Sequence, residues 1–379
     1  PAATLTHVRT VAAQPSRTAP WPEWVDPDLK STLIDAGIRD LYSHQRLTAD
    51  AAWEGRDVVV ATGTSSGKSL GYQLPVLSTL ADDPTACALY ITPTKALGSD
   101  QLLAVSSLTK GHPRLSGPKG VNAAPYDGDT PTEARATIRE TTRFAFTNPD
   151  MLHAGILSSH VRWARFLRHL KYVVFDECHT YRGVFGANVA LVLRRLDRLA
   201  RAYGARPTFI FASATAADPA AHASRLCGRD VVAVTDDGAP TGERTYALWE
   251  PGFIEGAEGE NGAPVRRAAT TEAGAMMANL VAAGARTLTF VRSRRASETV
   301  AMRAASPRTA LATSPRTAGR SNTPWTTAIY SAWPPRMRWS SASTSAGSTP
   351  WSWRAFPEQS PLSNNRPVAP GAAGSRHWW

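Results

Sequence analysis

The stretch "VVVATGTSSGKSLGYQLPVL", residues 58–77, decides how the rest of the chain is read. Apolar, β-favouring residues run into a loop of small residues, and a segment of helical character follows. That order aims backbone N–H groups and a helix N-terminus at one point, an arrangement that holds phosphate. Gly63, Gly67, Lys68 and Ser69 occupy the loop. Lys68 would reach the β- and γ-phosphates of a nucleotide, and the Ser69 hydroxyl would ligate Mg²⁺. The strict G-x-x-x-x-G-K-[ST] spacing asks for glycine at 62; Thr62 stands there, with Gly63 one place later. Pro75 predicts a kink in the helix that follows.

Outward from this loop, short apolar runs alternate with longer helical segments between residues 55 and 235. The runs are "DVVVAT" (57–62), "CALYIT" (87–92), "FAFT" (144–147), "YVVF" (172–175), "TFIFAS" (208–213) and "VVAV" (231–234). They are continuous rather than alternating, as strands covered on both faces are. "KALGSDQLLAVSSLTK" and "NVALVLRRLDRLARAYG" read as helices, the second stopped by Gly204. The order predicts an α/β, doubly wound domain with a parallel sheet, whose ligands sit at the carboxyl ends of the strands.

One of those ends is "FDECHTY", residues 175–181. It could be a metal site, a cysteine nucleophile with its base, or the acidic corner of a nucleotide site. A zinc site needs further ligands at suitable spacing, and a nucleophile needs a positioned base; neither is found. A strand delivering Asp176 and Glu177 to the same sheet edge as Lys68 suits the third reading. Asp176 would then hold Mg²⁺, and Glu177 would orient or deprotonate an attacking water. Cys178 reads as a small strand-end residue. His44, His153 and His160 read as polar surface or helix-end residues.

Composition bounds the partners. The net charge is +11 over 379 residues, but residues 303–379 alone carry 9 Arg against Glu358, which leaves +3 for residues 1–302. Nucleic-acid binding therefore has to be argued from particular residues and not from bulk charge. Cys87, Cys178 and Cys227 are isolated, with no C-x-x-C pair, which argues against a disulfide framework. No apolar run is long enough for a membrane span and the start lacks a signal-peptide pattern, so a cytoplasmic protein with no membrane partner is expected.

At this point several segments together resemble superfamily 2 helicases of the DEAD/DEAH-box type. "LYSHQ" (41–45) resembles the Gln motif and "TGTSSGKS" motif I; "PTKALGSDQ" (93–101) and "TNPDML" (147–152) resemble motifs Ia and Ib. "DECH" resembles motif II, "SAT" (213–215) motif III and "FVRSRR" (290–295) motif IV. "YDGDT" (126–130), "TYRGVFGANVA" and "DDGAPTGERTYALWEP" resemble the bacterial DECH-box DNA-repair helicases whose full-length members carry a C-terminal cysteine cluster, a domain missing here. The resemblance implies a RecA-like fold, ATP and Mg²⁺ as cofactors, and single-stranded or forked DNA as partner; a DEAD-box RNA helicase and a catalytically dead ATP- or strand-binding module are the alternatives. By position it implies that Gln45 reads adenine and that Thr62, Gly63, Thr64, Ser65, Ser66, Gly67, Lys68 and Ser69 cradle the phosphates. His179, Ser213 and Thr215 would couple the ATP state to the strand surface. Thr94, Lys95, Gly128 and Thr147 would meet the nucleic-acid backbone.

The implied organisation is an N-terminal extension (1–40), a RecA-like ATP-binding domain (41–235), a Gly-, Pro- and acid-rich connection (236–268), and the start of a second RecA-like domain (269–302) with helix and strand candidates "EAGAMMANLVAAGA" and "RTLTFVRS". Residues 303–379 break the pattern. They hold 7 of the chain's 12 Trp, 13 Ser, 10 Pro, no Lys and no Asp, without strand or helix periodicity. The resemblance calls for finger arginines in a Q-x-x-G-R-x-G-R motif there, and none exists. A frameshift near residue 303 accounts for this. "NNRPVAPGAAGSRHWW" can be encoded so that reading two bases on gives QQAGRAGRGGQPALV. "PPRMRWSSASTSAGSTPWSWRAFPEQ" likewise permits TTNALELGIDISGLDAVVVAGIPGT, which resembles motif V. Slow hydrolysis and no unwinding are the expected consequence, since a finger arginine contributes about 10³ to 10⁵ in turnover.

Overall fold

Six of the seven strands of the central sheet are the apolar runs anticipated above. The computed structural model describes residues 4–214, 216–304 and 328–331 of the chain. Ahead of the sheet lie β1 (Thr4–Val11), β2 (Thr18–Ala19), α1 (Pro27–Asp35), β3 (Leu41–Tyr42) and α2 (Ser43–Trp53). The chain then runs β4 (Val58–Ala61), α3 (Ser69–Asp82), β5 (Cys87–Ile91), α4 (Lys95–Thr109), β6 (Ala124–Pro125), α5 (Thr132–Thr141) and β7 (Phe144–Thr147). After a short α6 (Pro149–Met151) and α7 (Ala164–Arg168) come β8 (Leu170–Phe175), α8 (Gly183–Ala202), β9 (Thr208–Ser213), α9 (Pro219–Cys227) and β10 (Val232–Val234). The sheet order is β10-β4-β9-β8-β5-β7-β6, and every pairing in it is parallel.

Alternation along each strand feeds two cores, one per face. Val58, Val60, Tyr90, Phe146 and Val174 pack with α1, α2 and α3; Val59, Leu89, Val173, Phe175 and Phe211 pack with α8, α9 and the segment around Trp163. Burial on both faces is why the runs are continuous in sequence. Parallel strands joined by helical crossovers bring all their carboxyl ends to one edge, and that edge collects the polar residues of the site.

Helix α3 is continuous from Ser69 to Asp82 with Pro75 inside it, the packing of this buried apolar helix outweighing one lost backbone hydrogen bond. Helix α8 begins at Gly183, five residues before the expected apolar stripe, with Gly186 packed so close to the Tyr181 carbonyl that a Cβ would sit 2.4 Å from it.

The first forty residues are tied into the domain. Leu29 and Leu33 of α1 are buried in the core, and Asp26 caps that helix by accepting from the N–H groups of Asp28 and Leu29, each at 3.0 Å. Asp26 also accepts from His112 Nε2 at 2.7 Å and pairs with Arg114. Beyond β10, strand β11 (Arg244–Glu250) pairs antiparallel with β1, and β12 (Phe253–Glu258) pairs with β13 (Pro264–Arg266). Then α10 (Ala269–Ala282), β14 (Leu288–Val291) and α11 (Arg294–Ala304) follow, close to the helix and strand candidates. Strand β15 (Ala328–Ser331) pairs parallel with β14, so a β-strand stands within a segment expected to be irregular. The rest of the expected tail lies outside the described residues. No helix among the described residues is long and apolar enough to cross a membrane.

Candidate functional site

The phosphate loop leaves β4 at Thr62 and enters α3 at Ser69. Its shape depends on two left-handed residues, Ser65 at φ 61° and Gly67 at φ 76°. Gly67 could hardly be anything else: a Cβ there would lie 2.6 Å from Gln45 Nε2. Thr62 and Ser66 are buried and joined through their hydroxyls at 2.7 Å; Thr64 and Ser65 are exposed. Thr62 at the strict glycine position thus uses its hydroxyl to close the loop's base. Lys68 Nζ folds over the loop and donates to the carbonyls of Gly63 at 2.8 Å and Thr62 at 3.2 Å. Burial pulls the Lys68 ammonium below its ordinary pKa, opposed by the carboxylates of Glu177, Asp176 and Asp237.

Gln45 lies at the third position of α2 with its amide fully engaged. Its Oε1 accepts from Tyr42 N–H at 2.8 Å and its Nε2 donates to the Gly67 carbonyl at 2.9 Å. The expected adenine reader therefore grips the phosphate loop here. The neighbouring His44 is a helix-end residue, second in α2, but not a surface one. Its side chain is wholly buried, and its ring stands between Ser66 and Gly238. The signal available was its place beside Gln45 in "LYSHQ"; nothing in the sequence linked it to "DDG", 192 residues on. His153 and His160 fit the plain reading, beside Arg195 and the Tyr203 hydroxyl respectively.

Asp176 follows β8 and Glu177 follows it in a left-handed conformation, φ 52° and ψ 38°. Such geometry costs a non-glycine residue about 1 to 2 kcal/mol, and here it turns two successive carboxylates toward Lys68. Asp176 accepts from the Tyr90 hydroxyl and, at 2.8 Å, from Glu177 N–H. Tyr90 is a residue that sequence reasoning missed: it reads as one more strand apolar. Burial raises the Asp176 carboxyl above its ordinary range. Burial first, then the Asp176 charge, pushes Glu177 up to about 7. His179 Nδ1 lies 3.2 Å from Glu177 Oε2 and accepts from Ala214 N–H at 3.3 Å, so it touches both the acidic corner and the loop after β9. Ser213 is buried at the end of β9; Thr215 lies outside the described residues.

The other expected residues form a second group along the same edge. Thr94 caps α4, and Lys95 pairs with Asp129 beside Gly128, whose added Cβ would stand 3.9 Å from Lys95 Nζ. Thr147 is buried with its hydroxyl donating to the Tyr126 carbonyl at 2.7 Å, so it braces the 126–130 loop and does not face outward. Gln101 of α4 accepts from Tyr72 at 2.9 Å and Gln73 at 3.1 Å, joining this group to α3. Among the described residues, Asp26, Asp28 and His112 also cluster, but there Asp26 caps α1 and His112 donates to it, as given above.

A nucleotide-type phosphate loop facing a carboxylate pair at the edge of a parallel sheet defines a RecA-like ATP-binding domain. Residues 42–223 match the DEAD/DEAH box helicase family. The chain is 39% identical over 279 residues to the uncharacterized ATP-dependent helicase YprA of Bacillus subtilis, covering 74% of this chain and 36% of that protein. It is 36% identical to the ATP-dependent helicase hrq1 of Schizosaccharomyces pombe, covering 72% of this chain and 26% of that one. The crystal structure of the DUF1998 helicase MrfA bound to DNA and AMPPNP superposes with a TM-score of 0.73 at 36% identity, over 79% of this chain and 40% of that one. The chain thus spans two fifths or less of each of these proteins.

Proposed function

We propose that this chain is the ATP-binding front half of an ATP-dependent DNA helicase. The observation that carries the proposal is the convergence of Lys68 from the loop after β4 with the Asp176–Glu177 pair from the end of β8 at one edge of the sheet. Lys68 would hold the β- and γ-phosphates. The Ser69 hydroxyl and Asp176 carboxylate form a hard-oxygen donor set suited to Mg²⁺, which would neutralise phosphate charge when bound. Glu177, with its pKa near neutrality, suits a group that takes a proton from water. Lys95 and Gly128 would meet a DNA backbone, and His179 would relay the nucleotide state to the loop after β9. DNA is favoured over RNA by the DECH sequence and by likeness to a helicase crystallised with DNA. A cytoplasmic location belongs to the same proposal.

Turnover in this chain is proposed to be slow. The finger arginines called for by the family resemblance are absent from residues 303–379, and the shifted reading frame described above restores them. Sequencing of the locus checks that part: codons incompatible with the shifted peptides would end it. Binding of labelled single-stranded DNA, with and without a non-hydrolysable ATP analogue, checks the rest. The proposal expects salt-sensitive DNA binding whose affinity changes with the analogue. An ATP site indifferent to DNA, with no DNA binding, would refute the helicase reading.

A further inference from the structure

The chain leaves the last strand of the sheet, β10, through the turn Asp236–Asp237–Gly238, and that turn is fastened to the phosphate loop. Asp237 Oδ2 accepts from Gly63 N–H at 3.0 Å, at the start of the loop. Gly238 N–H donates to His44 Nδ1 at 3.2 Å, which leaves Nε2 carrying the ring proton that it donates to the Ser66 carbonyl at 3.0 Å, in the middle of the loop. Burial lowers the His44 pKa, in keeping with this neutral tautomer, although Asp237 Oδ1 lies 3.6 Å from Nδ1. One turn therefore grips both ends of the loop's first half, once directly and once through a ring.

A third segment fixes the turn from outside. Arg17 pairs with Asp236, donates to the Asp237 carbonyl at 2.9 Å, and its N–H donates to the Gly238 carbonyl at 2.8 Å. The Arg17 carbonyl in turn accepts from Ser43 N–H at 2.8 Å, one residue before His44. The convergence is tight. A Cβ on Gly238 would meet Ser43 Oγ at 2.3 Å and the Arg17 carbonyl oxygen at 2.7 Å. Two further backbone bonds, between Gln14 and Thr241, hold the strap to the outgoing chain.

We propose that this turn, with His44 as its relay, is a latch that sets the shape of the phosphate loop, so that ATP affinity depends on how the chain leaving the first domain is held. His44, Asp237 and Arg17 are positioning residues: none lies among the loop groups that would contact phosphate. A pull on residues 236–241 by whatever follows is felt at Gly63 and Ser66, and nucleotide binding must in turn stiffen the turn, because coupling of two sites is reciprocal. The proposal rests on the reading of residues 62–69 as an ATP site.

The test titrates the 379-residue chain and its variants with ATP and Mg²⁺ by calorimetry, with urea unfolding measured beside each. Asp237→Ala and Arg17→Ala change partly exposed groups. They are expected to weaken ATP binding roughly three- to tenfold, the size of one or two lost hydrogen bonds, with the urea midpoint nearly unchanged. His44→Ala should weaken it at least as much, and His44→Gln, which keeps an N–H for the Ser66 carbonyl, should recover most of the loss. The double variant Asp237→Ala/His44→Ala should lose less than the product of the single losses, since both act on one loop. Asp237→Ala and Arg17→Ala binding ATP within twofold of the parent would overturn the latch. A parent chain that binds no ATP would overturn the ATP-site reading itself, and the latch with it.

Discussion

Replacing Glu177 by Gln should stabilise the nucleotide-free protein, most at neutral to alkaline pH. Burial and the Asp176 charge lift the Glu177 carboxyl to about 7, against an ordinary value of 4.5. That difference of about 2.5 units would amount to roughly 3.4 kcal/mol at about 1.4 kcal/mol per unit. The side chain keeps 32% of its surface in water, so screening reduces the figure to about 1 to 2 kcal/mol. The sign follows from the direction of the shift. A carboxyl whose folded pKa is raised favours the folded state when protonated, so the charged group is a liability above about pH 7 that disappears as the pH falls toward 4.5. Gln carries the same left-handed backbone and no charge, which isolates the electrostatic part. Urea unfolding of parent and variant, in EDTA and without nucleotide, should show the variant more stable by about 1 to 2 kcal/mol at pH 8, with about half of that gain left at pH 5. An equal gain at both pH values, or none at pH 8, would refute the reasoning.

Further substitutions probe the loop and its support. Gly67→Ala places a Cβ 2.6 Å from Gln45 Nε2 at φ 76°; it should cost about 1 to 2 kcal/mol in backbone strain alone and abolish measurable ATP binding in the same calorimetric titration. Tyr90→Phe removes the hydroxyl donor to the Asp176 carboxylate; it should weaken Mg²⁺-dependent ATP binding while ATP binding in EDTA stays as in the parent. Asp26→Ala leaves the buried His112 without its carboxylate, Arg114 with Asp82 alone and α1 without its cap; a loss of about 3 to 5 kcal/mol in urea unfolding is expected, far more than for a surface ion pair.

Local chemistry was legible in the sequence, and long-range chemistry was not. Six strands could be placed from apolar runs because strands buried on both faces tolerate little else, and the P-loop and "DECH" stood out because small residues, Lys and acids interrupt those runs at the carboxyl ends. The short strand Ala124–Pro125 carries no such run and went unseen. Asp176 and Glu177 were legible as a pair, whereas Tyr90 was hidden among the apolar residues of β5, its hydroxyl visible only once β5 and β8 lie side by side. His44 and Asp237 were hidden for a different reason. Their meeting depends on the chain returning past β4 through β10, and no residue pattern near position 44 announces what arrives from position 238. The N-terminal segment shows the same limit, since Arg17 meets the Asp236–Gly238 segment across more than two hundred residues of sequence.

The central proposal is that Lys68 anchors ATP in a helicase-type ATP-binding domain and that turnover is slow for want of finger arginines in residues 303–379. ATP turnover by the 379-residue chain, with and without single-stranded DNA and beside Lys68→Ala, tests it most directly. The account predicts nucleotide binding that Lys68→Ala abolishes, with turnover that DNA does not stimulate. DNA-stimulated turnover lost in Lys68→Ala would contradict it, by showing that the finger function is supplied within residues 1–379 as they stand.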